Sequence, residues 1–152
     1  MKRVMLIINL ILATVIGFWG CQGSNAEQQE KTVAPKTVQQ KGSFENIDVK
    51  QAYAKIQNDT SVVVIDVRTP GEFTGELGHI PGAILRPLQQ IDQWTDEAKQ
   101  LREQGKKIIL VCRSGNRSGM AARRLAEVGL DSLFNVQGGM RAWNASGLPV
   151  EK

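Results

Sequence analysis

The chain has 152 residues, 41% apolar and 22% charged, a composition that excludes wholesale disorder or a coiled coil for its main body. Residues 1–43 hold five Lys/Arg against two Asp/Glu (+3) and residues 44–152 hold fourteen against thirteen (+1), so the part able to fold is nearly neutral and lacks the field of a nucleic-acid binder. The two cysteines, Cys21 and Cys112, and the single histidine, His79, have no metal-ligand spacing and offer no disulfide framework.

In chain order, Lys2 and Arg3 form a positive flank to Val4–Gly20, seventeen almost wholly apolar residues. The run is long for a signal sequence and marginal for a membrane span, and in both cases the positive end stays inside while the rest is exported. Gly20-Cys21 resembles the end of a bacterial lipobox, which makes Cys21 the lipidation candidate, although Phe18 and Trp19 depart from that pattern. Cleavage after Ala26, or retention as an uncleaved anchor, are the alternatives. The expectation is an exported protein of the periplasm or cell envelope, tethered to the membrane through the N-terminal lipid or anchor. Residues 22–43 are rich in Gln, Lys, Asn, Ser and Thr and cannot bury enough apolar surface to order themselves, so they are expected to be a tether.

The folding part is expected over residues 44–152, within the usual size of one domain. Asp48 and Gln51 have the spacing of a capping box, which predicts a helix to about Gln57. Ser61–Asp66 is a β-branched run that predicts a strand covered on both faces. Thr69-Pro70-Gly71 and Gly78–Gly82 read as turns, with a short strand at Ala83–Leu85 between them and the next helix. Leu88, Ile91, Trp94, Ala98 and Leu101 recur at helical spacing. Lys107–Cys112 predicts a second buried strand. Ala121, Leu125 and Val128 place a helix over Ser118–Val128, stopped by Gly129. Ser132–Val136 is a third strand, and a last helix runs from Gly138-Gly139 through Ser146. Alternating strands and helices imply an α/β fold with a mostly parallel central sheet flanked by helices on both faces, and ligands in such sheets sit at the carboxyl ends of the strands. Asp66 and Cys112 both stand at such ends.

The segment Cys112-Arg113-Ser114-Gly115-Asn116-Arg117-Ser118 concentrates the chemistry. A helix beginning near Arg117 aims free amides and its positive dipole end back at the thiol. Gly115 and its neighbours allow successive amides to converge as a nest, and Arg113 and Arg117 add two cationic forks suited to oxyanions. All of these favour a thiolate, which is the nucleophile, and none needs a histidine base. A lone cysteine is more often a small buried hydrophobe, but this setting reverses that reading. Arg123 and Arg124, farther along the helix, read as solvated charge.

From Phe44 to Val150 the chain resembles the single-domain rhodaneses. The residues that carry the resemblance are Val64-Ile-Asp-Val-Arg68, Glu72-Phe73, Gly78-His-Ile-Pro-Gly-Ala83, Val111-Cys-Arg-Ser-Gly-Asn-Arg-Ser118, Ala121–Gly129, and Val136-Gln-Gly-Gly139 with Trp143. The resemblance implies a rhodanese-like fold and a sulfurtransferase that takes sulfane sulfur from a small sulfur-containing anion such as thiosulfate. The sulfur is held as a persulfide on Cys112 and passed to cyanide or a thiol. It implies that the amides of Arg113, Ser114, Gly115, Asn116, Arg117 and Ser118 cradle the persulfide, and that Arg113 and Arg117 hold the donor. Asp66 and Arg68 match a strand-end pair that shapes the loops, although Asp66 alone could equally be a turn cap. His79 is expected to be structural, and no metal or organic cofactor is required. Four residues lie between Cys112 and Arg117. Related dual-specificity phosphatases use five, so the shorter loop resembles the sulfur-transferring form. One departure stands at Leu85, where the family usually has Asn, followed by Arg86. The competing readings are a non-catalytic module that binds an anion or persulfide, and a redox thiol, which would lack the usual second cysteine.

Overall fold

Five strands form one sheet: β1 (Phe44–Ile47), β2 (Val62–Asp66), β3 (Ile84–Leu85), β4 (Lys107–Val111) and β5 (Leu133–Val136). Their order is β1-β5-β4-β2-β3, and every neighbouring pair is parallel. The helices are α1 (Val49–Asn58), α2 (Pro70–Phe73), α3 (Ile91–Glu103), α4 (Asn116–Glu127) and α5 (Gly139–Ala145), with a 3-10 turn at Leu88–Gln90 before α3. This computed structural model describes residues 41–152. The expected export segment at 1–21, with Cys21, and residues 22–40 of the expected tether lie outside the described residues. Among the described residues no helix is long and apolar enough to cross a membrane.

Strand alternation divides β4 between two cores. Ile108, Leu110 and Cys112 pack with Ile91, Trp94 and Ala98 of α3 and Ala121 and Leu125 of α4. Ile109 and Val111 pack with Ala52 of α1 and Met140 and Trp143 of α5. All four residues Ile108–Val111 are completely buried, which is why the segment reads as an unbroken apolar run rather than an alternating one. Burial of each such side chain contributes roughly 1.5–3 kcal/mol, so the central strand, and with it the position of Cys112, is fixed firmly.

The expected elements recur with four differences. The capping box of α1 is present: Asp48 Oδ1 accepts from the amides of Lys50 and Gln51 at 2.8 Å each, and Gln51 Oε1 accepts from the Asp48 amide at 2.9 Å. Phe44–Ile47, however, forms an edge strand against β5 that the sequence reading omits. Thr69-Pro70-Gly71, read as a turn, instead opens the helical turn α2, where Pro70 fits the first position and Glu72 closes a box on Thr69. Helix α4 begins at Asn116, two residues before the predicted start, because Gly115 serves as its N-cap in the left-handed region at φ 96°. Gly42, placed in the expected tether, already donates its amide to Ala126 O at 2.8 Å.

Candidate active site

Cys112 follows the last residue of β4 and is 1% exposed. The chain turns back over it through Arg113–Gly115 into α4. The amide of Gly115 donates to Cys112 Sγ at 3.1 Å and the Ser118 hydroxyl stands 3.3 Å from the same sulfur. Burial pushes the thiol up, but the Ser118 hydroxyl and the amides of Ser118, Ser114 and Gly115 outweigh it and hold the thiol below its ordinary value. The sulfur is thus stabilised as thiolate by donors rather than by a base. These donors lie at the start of α4, where the helix dipole adds positive potential.

The loop is held in shape from behind by the start of α5. Met140 N donates to Cys112 O at 2.8 Å and Arg141 N to Arg113 O at 3.1 Å. A Cβ on Gly139 would sit 2.3 Å from Cys112 O, so only glycine permits this approach. The Gly138-Gly139 pair therefore keeps the cradle closed as well as opening a helix.

Asp66 and Arg68 are both buried, at 0% and 1% exposure, and form a fork: Arg68 Nε contacts both Asp66 carboxylate oxygens at 2.9 Å and Nη2 reaches Oδ2 at 2.7 Å. The same guanidinium donates to Glu72 O at 2.9 Å and Gly78 O at 2.7 Å. It ties the end of β2 to α2 and to the loop after it. Neither side chain hydrogen-bonds to Cys112, whose sulfur is reached by Gly115 and Ser118.

Of the two loop arginines, Arg113 is exposed and Arg117 is half-buried. Arg117 forks onto Glu72, with Nη1 2.8 Å from Oε2 and Nη2 2.5 Å from Oε1. Glu72 also accepts from the Thr69 amide at 3.2 Å and the Thr69 hydroxyl at 3.1 Å. The hydrogen bonds of the Arg117 guanidinium lower the Glu72 carboxyl to about 2, so the pair is charged throughout the physiological range. The sequence reading names Glu72 as part of the family pattern but gives it no role, since its partner lies 45 positions away. Beside the loop a pocket of about 210 Å³ is lined by Arg113, Glu72, Glu76, Leu77, two glycines and the edge of Arg68. Ser114 and Asn116 are exposed on the outer side of the turn, and Ser118 is buried beneath it.

The residues set aside in the sequence lie outside the cradle. His79 stacks on Phe73 with ring centroids 3.7 Å apart, and its Nδ1 is 3.2 Å from Phe73 O. Its backbone bridges to Glu151, fastening the C-terminal end of the chain to this loop. Leu85 pairs with Asp66 in the sheet, and Arg86 forks onto Glu97 of α3 at 2.7 Å for both contacts, so its charge braces β3 against a helix. Arg123 and Arg124 are exposed along α4.

Comparison with known proteins follows the same residues. The family described as "Rhodanese-like domain" matches residues 48–146. A protein named "Sulfurtransferase" from Allochromatium vinosum is 32% identical over 104 residues, covering 68% of this chain and 92% of that protein. The uncharacterized protein slr1261 of Synechocystis is 33% identical over 129 residues, 85% of this chain but 60% of its own length, so the chain spans less than two thirds of that relative. Among solved structures, a rhodanese-related protein from Thermoplasma volcanium superposes with a TM-score of 0.58 at 31% identity, covering 70% of this chain and 97% of its own.

Proposed function

This chain belongs to the rhodanese-like domain family, and from that membership we propose that it is a sulfurtransferase carrying sulfane sulfur on Cys112. The observation that carries the reading is the geometry of the sulfur: a thiol at the end of the central strand, with a backbone amide and a serine hydroxyl aimed at it and its ionisation favoured. With thiosulfate as donor, the Cys112 thiolate attacks the outer sulfur. A Cys112 S–S bond forms, the donor's S–S bond breaks, and sulfite leaves with the bonding pair. The product is a persulfide anion, which the same donors can cradle. Cyanide, or a thiolate, then attacks the terminal sulfur, leaves as thiocyanate or a new persulfide, and returns Cys112 as thiolate. No proton needs a dedicated base in either half, which accords with a site lacking histidine. The near-complete burial of Cys112 means that a donor approaches end-on with a terminal sulfur atom rather than with bulk.

That same burial favours one second reading, a module that holds an anion or persulfide without turnover. Turnover separates the two. Transfer from thiosulfate to cyanide is expected to rise with pH as the thiol ionises, through a midpoint below that of an ordinary cysteine. Ser118→Ala removes the hydroxyl that stabilises the thiolate, so the thiol moves up and the rising limb shifts to higher pH. A pH–rate profile of both proteins checks this. An unshifted limb would remove Ser118 from the site chemistry, and absence of turnover at any pH would leave the binding module.

We further propose that the domain works outside the cytoplasm, tethered by the segment ending at Cys21. The positive flank and apolar run of residues 2–20 support export, and the lipobox-like Gly20-Cys21 supports the tether. In such a compartment Cys112 has no second thiol within residues 44–152 to trap it as a disulfide.

A further inference from the structure

Two of the three arginines that the sequence associates with Cys112 are already paired with carboxylates. Arg68 is spent on Asp66 inside the protein. Arg117 is spent on Glu72 through both of its terminal nitrogens. Arg113 faces a pocket that also presents Glu76. Of the three guanidiniums, two are thus bound to carboxylates and the third shares its pocket with one. A doubly charged donor arriving there finds amides, a helix dipole and Arg113, but an Arg117 whose charge is already met by Glu72, and it must approach a thiolate that repels it.

Glu72 is the member of this group that is built to stay. Its carboxylate is gripped from one side by the Thr69 amide and hydroxyl within its own helical turn, and from the other by Arg117. Arg117 is the second residue of α4, the helix whose start faces Cys112. The carboxylate therefore cancels the loop cation carried on the start of α4, whereas Arg113 precedes the helix and is exposed.

We propose that Glu72 is a specificity-determining residue: by neutralising Arg117 it tunes the site against doubly charged sulfur donors and toward singly charged or neutral ones. The inference rests on the sulfur-transfer reading for its donors, and its sign comes from the geometry alone. Two donors with the same outer sulfur isolate the effect of charge. Thiosulfate is a dianion that releases sulfite. Methanethiosulfonate is a monoanion that releases methanesulfinate by the same step: the Cys112 thiolate forms a bond to the outer sulfur, the donor's S–S bond breaks, and the sulfinate leaves with the pair.

The test uses the full chain carrying Cys21→Ser, so that Cys112 is the only thiol, with and without Glu72→Gln. Gln keeps an oxygen for the Thr69 amide and hydroxyl and for Arg117 Nη1, and removes the charge together with the acceptor for Arg117 Nη2. The ratio of kcat/KM for thiosulfate to that for methanethiosulfonate is expected to rise about five- to tenfold in E72Q, the effect of one unit charge at contact distance in a wet site. Added salt should shrink this gain. A Glu72 that only props the loop would lower both donors together, so an unchanged or reduced ratio overturns the proposal. A second readout does not depend on transfer: titration of the Cys112 thiolate by its ultraviolet absorbance should show a lower midpoint in E72Q and a higher one in Arg117→Gln. If neither donor loads the parent protein, the sulfur-transfer reading fails for these donors, and the titration alone decides the role of Glu72: a midpoint unmoved by E72Q overturns it.

Discussion

Replacing Cys112 by serine is expected to abolish sulfur loading and lower transfer by at least about a thousandfold, leaving the domain folded. A serine hydroxyl is not ionised by amide donors that merely lower a thiol, and it cannot form the S–S bond on which the sulfur travels. The fold should tolerate the change. The oxygen can accept from the same Gly115 amide and Ser118 hydroxyl that now reach Sγ, so no buried donor is orphaned. The cost is the lost packing of one sulfur atom in the core shared with Leu110 and Ala121, about 1 kcal/mol. Circular dichroism and a transfer assay on the same preparation check both halves. Transfer at the parent rate in a folded C112S protein would rule out the persulfide route.

The second large effect is on stability. Arg68→Ala is expected to cost about 3–5 kcal/mol, because it leaves the Asp66 carboxylate charged and unpaired at 0% exposure. It also strips the carbonyls of Glu72 and Gly78 of their donor. For a domain of this size that corresponds to a fall in Tm of about 10–20 °C. Arg68→Lys should recover little, since a single ammonium cannot span Asp66, Glu72 O and Gly78 O at once. Thermal melts of the three proteins measure this directly. A Tm for R68A within a few degrees of the parent would mean that the buried pair is not what ties β2 to the loop bearing Glu72.

The parts of the molecule that could be read in the sequence are those whose cause is local. The runs Val62–Asp66 and Lys107–Val111 announce strands because both faces of each are covered, and Asp48 announces its helix through a capping box with Gln51, three positions on. Cys112 is legible because everything that activates it lies within the next six residues. Strand β1 escaped because Glu45 and Asn46 are exposed, and only a distant β5 makes Phe44–Ile47 extended. Helix α2 escaped because Thr69, Pro70 and Gly71 are all turn formers, although the Thr69–Glu72 spacing carries a capping signal that would have found it. The pairing of Arg117 with Glu72 joins two segments brought together only by the sheet order β4-β2, and no spacing in the sequence predicts it. For the same reason Arg117 reads as a free cation in the sequence and is a neutralised one in the structure.

The most direct test of the persulfide is the intact mass of the full chain carrying Cys21→Ser, taken after incubation with thiosulfate and again after cyanide. A gain of one sulfur atom, mapped to Cys112 by peptide mass and lost on adding cyanide, is the result predicted here. A folded protein that gains no sulfur from thiosulfate or from a polysulfide, or that gains it elsewhere than Cys112, would contradict the assignment of Cys112 as the sulfur carrier.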